Sequence, residues 1–206
     1  MTHPLTIICT SCDRFDLLER TLNSFFELNN YPFVAFHVHN DSTTPIPERL
    51  KKLYSGVVTW HEGTKRGLSA SWDYLVGLVE TEYFFNIEDD WEFFDNPNFI
   101  EESIGILANY NHVNQVWIRD KKDHNHPLEP YLPQAYLVLR NGDWCGFSFN
   151  PSVRRLSDWK GLFPKGIAGK DEIEISRKLS TDTNYMAVSL VNSSIRHIGG
   201  GKHCKN

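Results

Sequence analysis

No stretch of this 206-residue chain approaches the roughly 20 consecutive apolar residues that a membrane span requires, so no span is expected. Positive charge is also scarce. The 21 Lys and Arg are outnumbered by 26 Asp and Glu, the net charge is −5, and no basic stripe is present, which argues against general affinity for nucleic acid or anionic membrane. The opening Met-Thr-His-Pro-Leu-Thr-Ile-Ile has neither a basic n-region nor a long apolar h-region, so no signal peptide is expected. The four cysteines, Cys9, Cys12, Cys145 and Cys204, lack paired zinc spacing and read as free thiols in a reducing cytoplasm. Internal repeats and low-complexity segments are absent too. What remains is the composition of a soluble globular protein, 40% hydrophobic and 23% charged, with 13% aromatic residues for a packed core or a stacking cleft.

Apolar runs and helical periodicities alternate through the first half. Leu5 to Cys9 predicts a buried strand, and Leu17, Leu18, Thr21, Leu22, Phe25 and Phe26 predict the inner face of a helix. Phe33 to His39 and Val57 to Trp60 are the next strands, followed by a helix from about Ser69 to Glu80 with Trp72 among its core-facing residues. Tyr83 to Ile87 and a helix from Asn98 to Tyr110 complete the series. Such alternation predicts an α/β fold with a mainly parallel sheet, whose ligands bind outside the carboxyl ends of the strands. The second half reads as more mixed. It has strands at Val113 to Ile118, Ala135 to Leu139, Trp144 to Phe149 and Met186 to Val191, a polar loop from Arg119 to Pro133, and a short helix from Asp171 to Leu179.

The strand Tyr83 to Ile87 runs directly into Glu88-Asp89-Asp90. Three adjacent carboxylates repel one another, and a hard divalent cation such as Mg²⁺ or Mn²⁺, completed by phosphate oxygens, is the natural partner. A solvated acidic turn is the structural alternative. The same sheet edge carries Asp41, Arg14 and the basic loop Lys65-Arg66-Gly67, so a base reader, a ribose acceptor, a cation and basic groups for a nucleoside diphosphate all fall together.

With the opening Ile7-Ile8-Cys9-Thr10-Ser11-Cys12-Asp13-Arg14 and the acidic segment Ile87-Glu88-Asp89-Asp90-Trp91-Glu92-Phe93, the chain resembles the GT-A glycosyltransferases. The opening is similar to family 2, and the acids are similar to the Glu-Asp-Asp variant of the Asp-x-Asp motif in the N-acetylglucosaminyltransferase I type. The resemblance covers most of the chain. It implies one GT-A (Rossmann-like) domain over 1–206, with a nucleotide-sugar half at 1–111 and a mixed-strand acceptor and catalytic half at 112–206. It implies Asp90 as metal ligand, Glu88 near the ribose, Asp41 at the donor base, and Thr10 and Arg14 along base and diphosphate, with Asp89 and Arg66 also in the donor site. His197 is similar to a C-terminal histidine that completes the metal shell, which favours Mn²⁺ over Mg²⁺ because imidazole suits the latter poorly. Lys202 and His203 would close over the diphosphate.

Glycosyl transfer with inversion needs a carboxylate to take the acceptor's proton. The segment Gly166 to Leu179 resembles the family element that carries it, but in the order Asp171-Glu172, which leaves both acids as candidates beside the alternative of a helix N-terminus. His124, His126 and Tyr131 are expected on an acceptor loop, since the two histidines lack a third zinc ligand at suitable spacing, and Trp144, Phe147 and Trp159 are candidate sugar platforms. The expected activity is transfer of a sugar from a UDP, GDP or dTDP donor to a hydroxyl of a glycan or glycoprotein. The rivals are a nucleotidyltransferase, which would normally place glycines after the first strand where Thr10 to Arg14 has none, and a carbohydrate-binding protein on the same fold.

Overall fold

β1 (Leu5–Ser11) is buried along its whole length, as a strand covered on both faces must be. In the computed structural model, which describes residues 2–123, 126–139, 146–182 and 185–200, it lies between two parallel neighbours, β2 (Ala35–Asn40) and β4 (Tyr83–Glu88). Thr10 pairs with His39 on one side and Glu88 on the other, so the three strands deliver their last residues to one edge. β3 (Thr59–His61) pairs parallel outside β2.

Beyond β4 the sheet becomes mixed. β9 (Ser152–Arg155) runs antiparallel between β4 and β6 (Val113–Trp117), and β10 (Met186–Leu190), β8 (Ala135–Val138) and β7 (Leu128–Leu132) follow. The order of the nine strands is β3-β2-β1-β4-β9-β6-β10-β8-β7. Helices cover both faces. Leu18, Leu22 and Phe25 of α1 (Phe15–Leu28), Leu50 of α2 (Glu48–Leu53) and Ile100, Ile104 and Leu107 of α4 (Phe99–Asn109) build one core. Trp72 and Leu75 of α3 (Leu68–Gly77), Trp159 of α5 (Leu156–Leu162) and Ile175 and Leu179 of α6 (Glu172–Asp182) build the other. This is the expected α/β architecture with a largely parallel sheet and a mixed second half.

Several elements differ from expectation. The predicted strand at Trp144 to Phe149 is corrected: its described part, Gly146 to Phe149, has no regular structure, and the strand comes at β9 instead. The cause is that side chains take the backbone groups there. The carbonyl of Ser148 accepts from Gln115 Nε2 at 2.9 Å, and that of Phe149 from Asn86 Nδ2 at 2.8 Å. β9 escapes a polarity-based reading because it contains two arginines. Arg155 is nonetheless buried, with its guanidinium donating to the carbonyls of Leu107, Tyr110 and Val113 at 2.7, 3.1 and 2.9 Å. β7 lies within the stretch expected as a polar loop.

A second, two-stranded sheet was also not foreseen. β5 (Trp91–Phe93) pairs antiparallel with β11 (Ile195–His197), opposing His197 to Trp91. That pairing returns the C-terminal histidine to the acidic turn.

Candidate functional site

The acidic turn is held from below by α1. Thr21, fully buried in mid-helix, donates Oγ1–H to the carbonyl of Asp89 at 2.9 Å and accepts the N–H of Trp91 at 3.1 Å, while Ser24 Oγ accepts the N–H of Phe93 at 3.0 Å. Periodicity places Thr21 on the apolar face. Its hydroxyl instead satisfies the backbone of a turn that has no ladder partner at that point.

The three acids then take three different environments. Asp89 is wholly buried and outside the pocket wall; it accepts from Ser11 Oγ at 2.8 Å, from the N–H of Cys12 at 3.0 Å and from the Arg14 guanidinium. Burial pushes its pKa up to about 6, against the opposing pull of Arg14. Asp90 faces the pocket. Its Oδ2 lies 2.6 Å from Arg14 Nη1 and 3.0 Å from His197 Nε2. Glu88 also lines the pocket, with Trp91 Nε1 at 3.4 Å, and desolvation together with the charge of Asp90 pushes its pKa up to about 8.

A cavity of about 400 Å³ opens at this sheet edge, within the size range of small-ligand sites. Its wall includes Thr10, Arg14, Asp41, Lys65, Glu88, Asp90, Arg119 and His197. Asp41 anchors the basic loop, accepting the backbone N–H of Arg66 and, at 3.0 Å, that of Gly67, whose φ of 85° suits a glycine at this turn. The Arg66 side chain does not face the cavity; its guanidinium lies 4.6 Å from the centre of the Tyr74 ring, and Lys65 lines the wall in its place.

The residues at the acidic end suit a divalent cation. A carboxylate oxygen and an imidazole nitrogen converge, with the Arg14 guanidinium supplying the positive charge. The backbone of Gly199 passes so closely that a Cβ there would meet Asp90 Oδ2 at 2.5 Å and His197 Nε2 at 2.7 Å. Among the described residues no group of three or more His, Cys, Asp and Glu is arranged to hold a metal, so ligand oxygens would have to complete a shell begun by Asp90 and His197.

The two candidate bases separate clearly. Asp171 is exposed and caps α6 reciprocally with Glu174: Asp171 Oδ1 accepts the N–H of Glu174 at 2.8 Å, and Glu174 Oε2 accepts that of Asp171 at 3.0 Å. Glu172 turns inward. Its Oε1 accepts the N–H of Phe149 at 3.0 Å, beside Asn150 of the cavity wall, and its charge contributes to the raised pKa of Glu88. Neither acid is itself in the wall.

Phe147 and Trp159 are corrected as sugar platforms, because both are buried. They pack with Trp72 around Arg154, whose Cζ lies 4.8 Å from the Phe147 ring centre. His126 packs on Trp117 at 5.6 Å, and Tyr131 meets His112 at 2.6 Å on the edge strand β7. His124, Trp144, Cys145, Lys202, His203 and Cys204 lie outside the described residues; Cys9 is a free, buried thiol. Sequence reasoning missed Arg119, Asn86 and Thr21. The available signal for Asn86 was a lone amide inside an otherwise apolar strand, and for Arg119 an arginine at a strand's carboxyl end.

No protein-family model and no curated protein matches the chain. Solved structures do. The mannosyltransferase PcManGT from Pyrobaculum calidifontis, in complex with GDP-Man and Mn²⁺, is similar at 16% identity and a TM-score of 0.68, over 99% of this chain and 59% of that one. TarS 1–349 from S. aureus, in complex with UDP-GlcNAc, is similar at 14% identity and a TM-score of 0.66, over 95% of this chain and 58% of that one. The chain thus spans less than two thirds of the length of either. Among the described residues no helix is long and apolar enough to cross a membrane. At these identities the likeness concerns architecture, and the fold of this chain is that of the GT-A glycosyltransferases.

Proposed function

We propose that this chain is a metal-dependent glycosyltransferase that moves a sugar from a nucleoside-diphosphate donor to a hydroxyl of a glycan or glycoprotein. The observation that carries the reading is the meeting of Asp90 and His197 at 3.0 Å on a cavity that also gathers Thr10, Asp41, Lys65 and Glu88. The roles follow from position. Asp41 sits with Thr10 at the β1–β2 end and takes the nucleoside base, while Glu88 reaches the ribose and sugar. Asp90 and His197 hold Mn²⁺, or Mg²⁺ less well, and the bound ion would neutralise charge that builds on the leaving diphosphate. Arg14 balances Asp89 and Asp90, and Asp89 fixes the loop after β1 through Ser11 and Cys12.

Glu172 serves as the base. One of its oxygens is fixed by the N–H of Phe149 while Oε2 makes no hydrogen bond within the described residues, leaving it to take the acceptor proton. Inverting transfer needs one such base and no covalent nucleophile. Residues 1–111 thereby form the donor half and 112–206 the acceptor half. The test is a titration with UDP, GDP and dTDP, with and without Mn²⁺. One of the three should bind only when the metal is present, and failure of all three to bind would remove the transferase reading.

A further inference from the structure

The strand order lays out the cavity wall along one sheet edge. Asp41 follows β2, Thr10 lies near the end of β1, Glu88 ends β4, Asn150 precedes β9 and Arg119 follows β6, in the spatial order β2-β1-β4-β9-β6. Arg119 is therefore on the far side of β4 from Asp41. It is also fastened to the strand that carries His197. The carbonyl of Ile118 accepts the N–H of Ser194 at 3.1 Å, that of Ile195 accepts the N–H of Asp120 at 2.9 Å, and Asp123 Oδ2 accepts the N–H of His197 at 3.1 Å. Both side chains meet Trp91: Arg119 Cζ stands 5.3 Å from the centre of its ring, and the His197 ring centre lies 5.1 Å from it. Arg119 thus belongs to the metal end of the cavity.

Its guanidinium is uncommitted. Among the described residues it makes no hydrogen bond or ion pair, and its Nε is buried without a partner. The other basic groups of this edge are engaged or lie at the opposite end: Arg14 is paired with Asp89 and Asp90, Arg66 lies over Tyr74, and Lys65 precedes the turn that Asp41 anchors. A guanidinium carries five donors in a planar fork matched to phosphate oxygens, and leaving it half-buried and unbonded costs free energy that an oxyanion would offset. A nucleoside diphosphate released from its sugar carries about three negative charges near neutral pH, because the second ionisation of its terminal phosphate has a pKa of about 6. A divalent cation neutralises two of them. Arg14 is already matched against carboxylates, so the charge that remains on the terminal phosphate has Arg119 as its counterpart.

We propose that Arg119 binds the distal phosphate of the donor and takes up the charge that collects there when the sugar departs. This rests on the transferase reading, with the nucleoside at Asp41. In that reaction the bond from the sugar's anomeric carbon to the distal phosphate oxygen breaks with its electron pair left on that oxygen. The acceptor oxygen forms the new bond to the sugar and gives up its proton to the base. The test is calorimetry at saturating Mn²⁺ with UDP, GDP or dTDP, whichever binds, and with the matching monophosphate, which lacks the distal group. Arg119→Gln should lower the diphosphate affinity at least about tenfold, the range of a charge-assisted hydrogen bond, and leave that of the monophosphate within about a factor of two. Arg119→Lys keeps the charge without the fork and should retain part of the preference. The Mn²⁺ concentration that half-saturates the monophosphate complex should also stay within about a factor of two. A diphosphate preference that survives Arg119→Gln would overturn the proposal. So would an equal loss for both nucleotides, or a matching loss of Mn²⁺ affinity, either of which would leave Arg119 as a support for Trp91 and β11. Failure of all three diphosphates to bind the wild type with metal is a different result: it removes the transferase reading, and this assignment with it.

Discussion

Two adjacent carboxylates at the start of α6 show how one residue's difference in direction divides structure from chemistry. Asp171 spends its side chain on the cap, which is the ordinary use of an acid at a helix N-terminus. Glu172, one position on and the first residue of α6, turns the other way and reaches the Phe149 N–H beside the cavity. Substitutions should separate them. Asp171→Ala should cost about 1 kcal/mol of stability in urea unfolding, as loss of a cap does, and leave transfer activity largely intact. Glu172→Gln keeps shape and hydrogen bonding to Phe149, so donor binding should persist while transfer falls by a factor on the order of a hundred or more. Full transfer activity in Glu172→Gln would remove it as the base, and the same result in Asp171→Ala would leave Asp171 with capping alone.

At the scale of elements, the segment before β9 is the part of the site whose order depends on distant side chains. Asn86 of β4 donates to the carbonyls of Phe149 and Asn150 at 2.8 and 3.0 Å and accepts from Ser152 Oγ at 2.9 Å, and Gln115 of β6 supports Ser148 and Ser152 from the other side. Asn86→Leu would leave two carbonyls without their donor in a buried site. It should cost about 2–3 kcal/mol in denaturant unfolding and weaken nucleotide binding through Asn150. A stability unchanged to within a few tenths of a kcal/mol would mean that the network does not hold the segment. The same network explains what the sequence could and could not reveal. β1, α1 and the acidic turn were legible because their burial follows local periodicity, and Asp41 and Asp90 because strand ends in a parallel sheet share an edge. β9 was not, since Arg154 and Arg155 are buried by aromatic rings and carbonyls contributed from residues far off in the chain. Nor was the approach of His197 to Asp90 given by any local pattern. The resemblance suggested it, and the pairing of β5 with β11 provides it. Lone polar residues inside apolar strands, as at Asn86, were the unused signal.

For the molecule as a whole, pH acts on stability through two groups of residues with opposite signs. Glu88 and Asp89 have native pKa values raised to about 8 and about 6, above those of the unfolded chain. Without a bound cation, the stability tied to their protons is present at low pH and lost as pH rises through those values. The histidines at the β2–β3 edge act the other way. His37 Nδ1 lies 3.2 Å from His61 Nε2, His61 Nδ1 lies 2.9 Å from Tyr74 Oη, and His39 packs on the Tyr74 ring at 5.3 Å. Burial lowers the pKa of all three, and for His61 the neighbouring histidines lower it further. A histidine whose native pKa lies below the unfolded value binds its proton first in the unfolded chain, so stability is lost as pH falls through about 6.5 and levels off below the native pKa. The slope this can add is at most about 1.4 kcal/mol per pH unit for each histidine, which is large against the stability of a domain of this size. Because Glu88 and Asp89 mask part of it, the informative quantity is the difference between wild type and His61→Gln in metal-free buffer. Urea unfolding of both proteins from pH 7.5 to 5 should show the wild type losing more stability than the variant as the pH falls. Parallel curves across that range would mean that the histidine edge does not titrate with unfolding, and would leave the acidic turn as the dominant source of pH dependence.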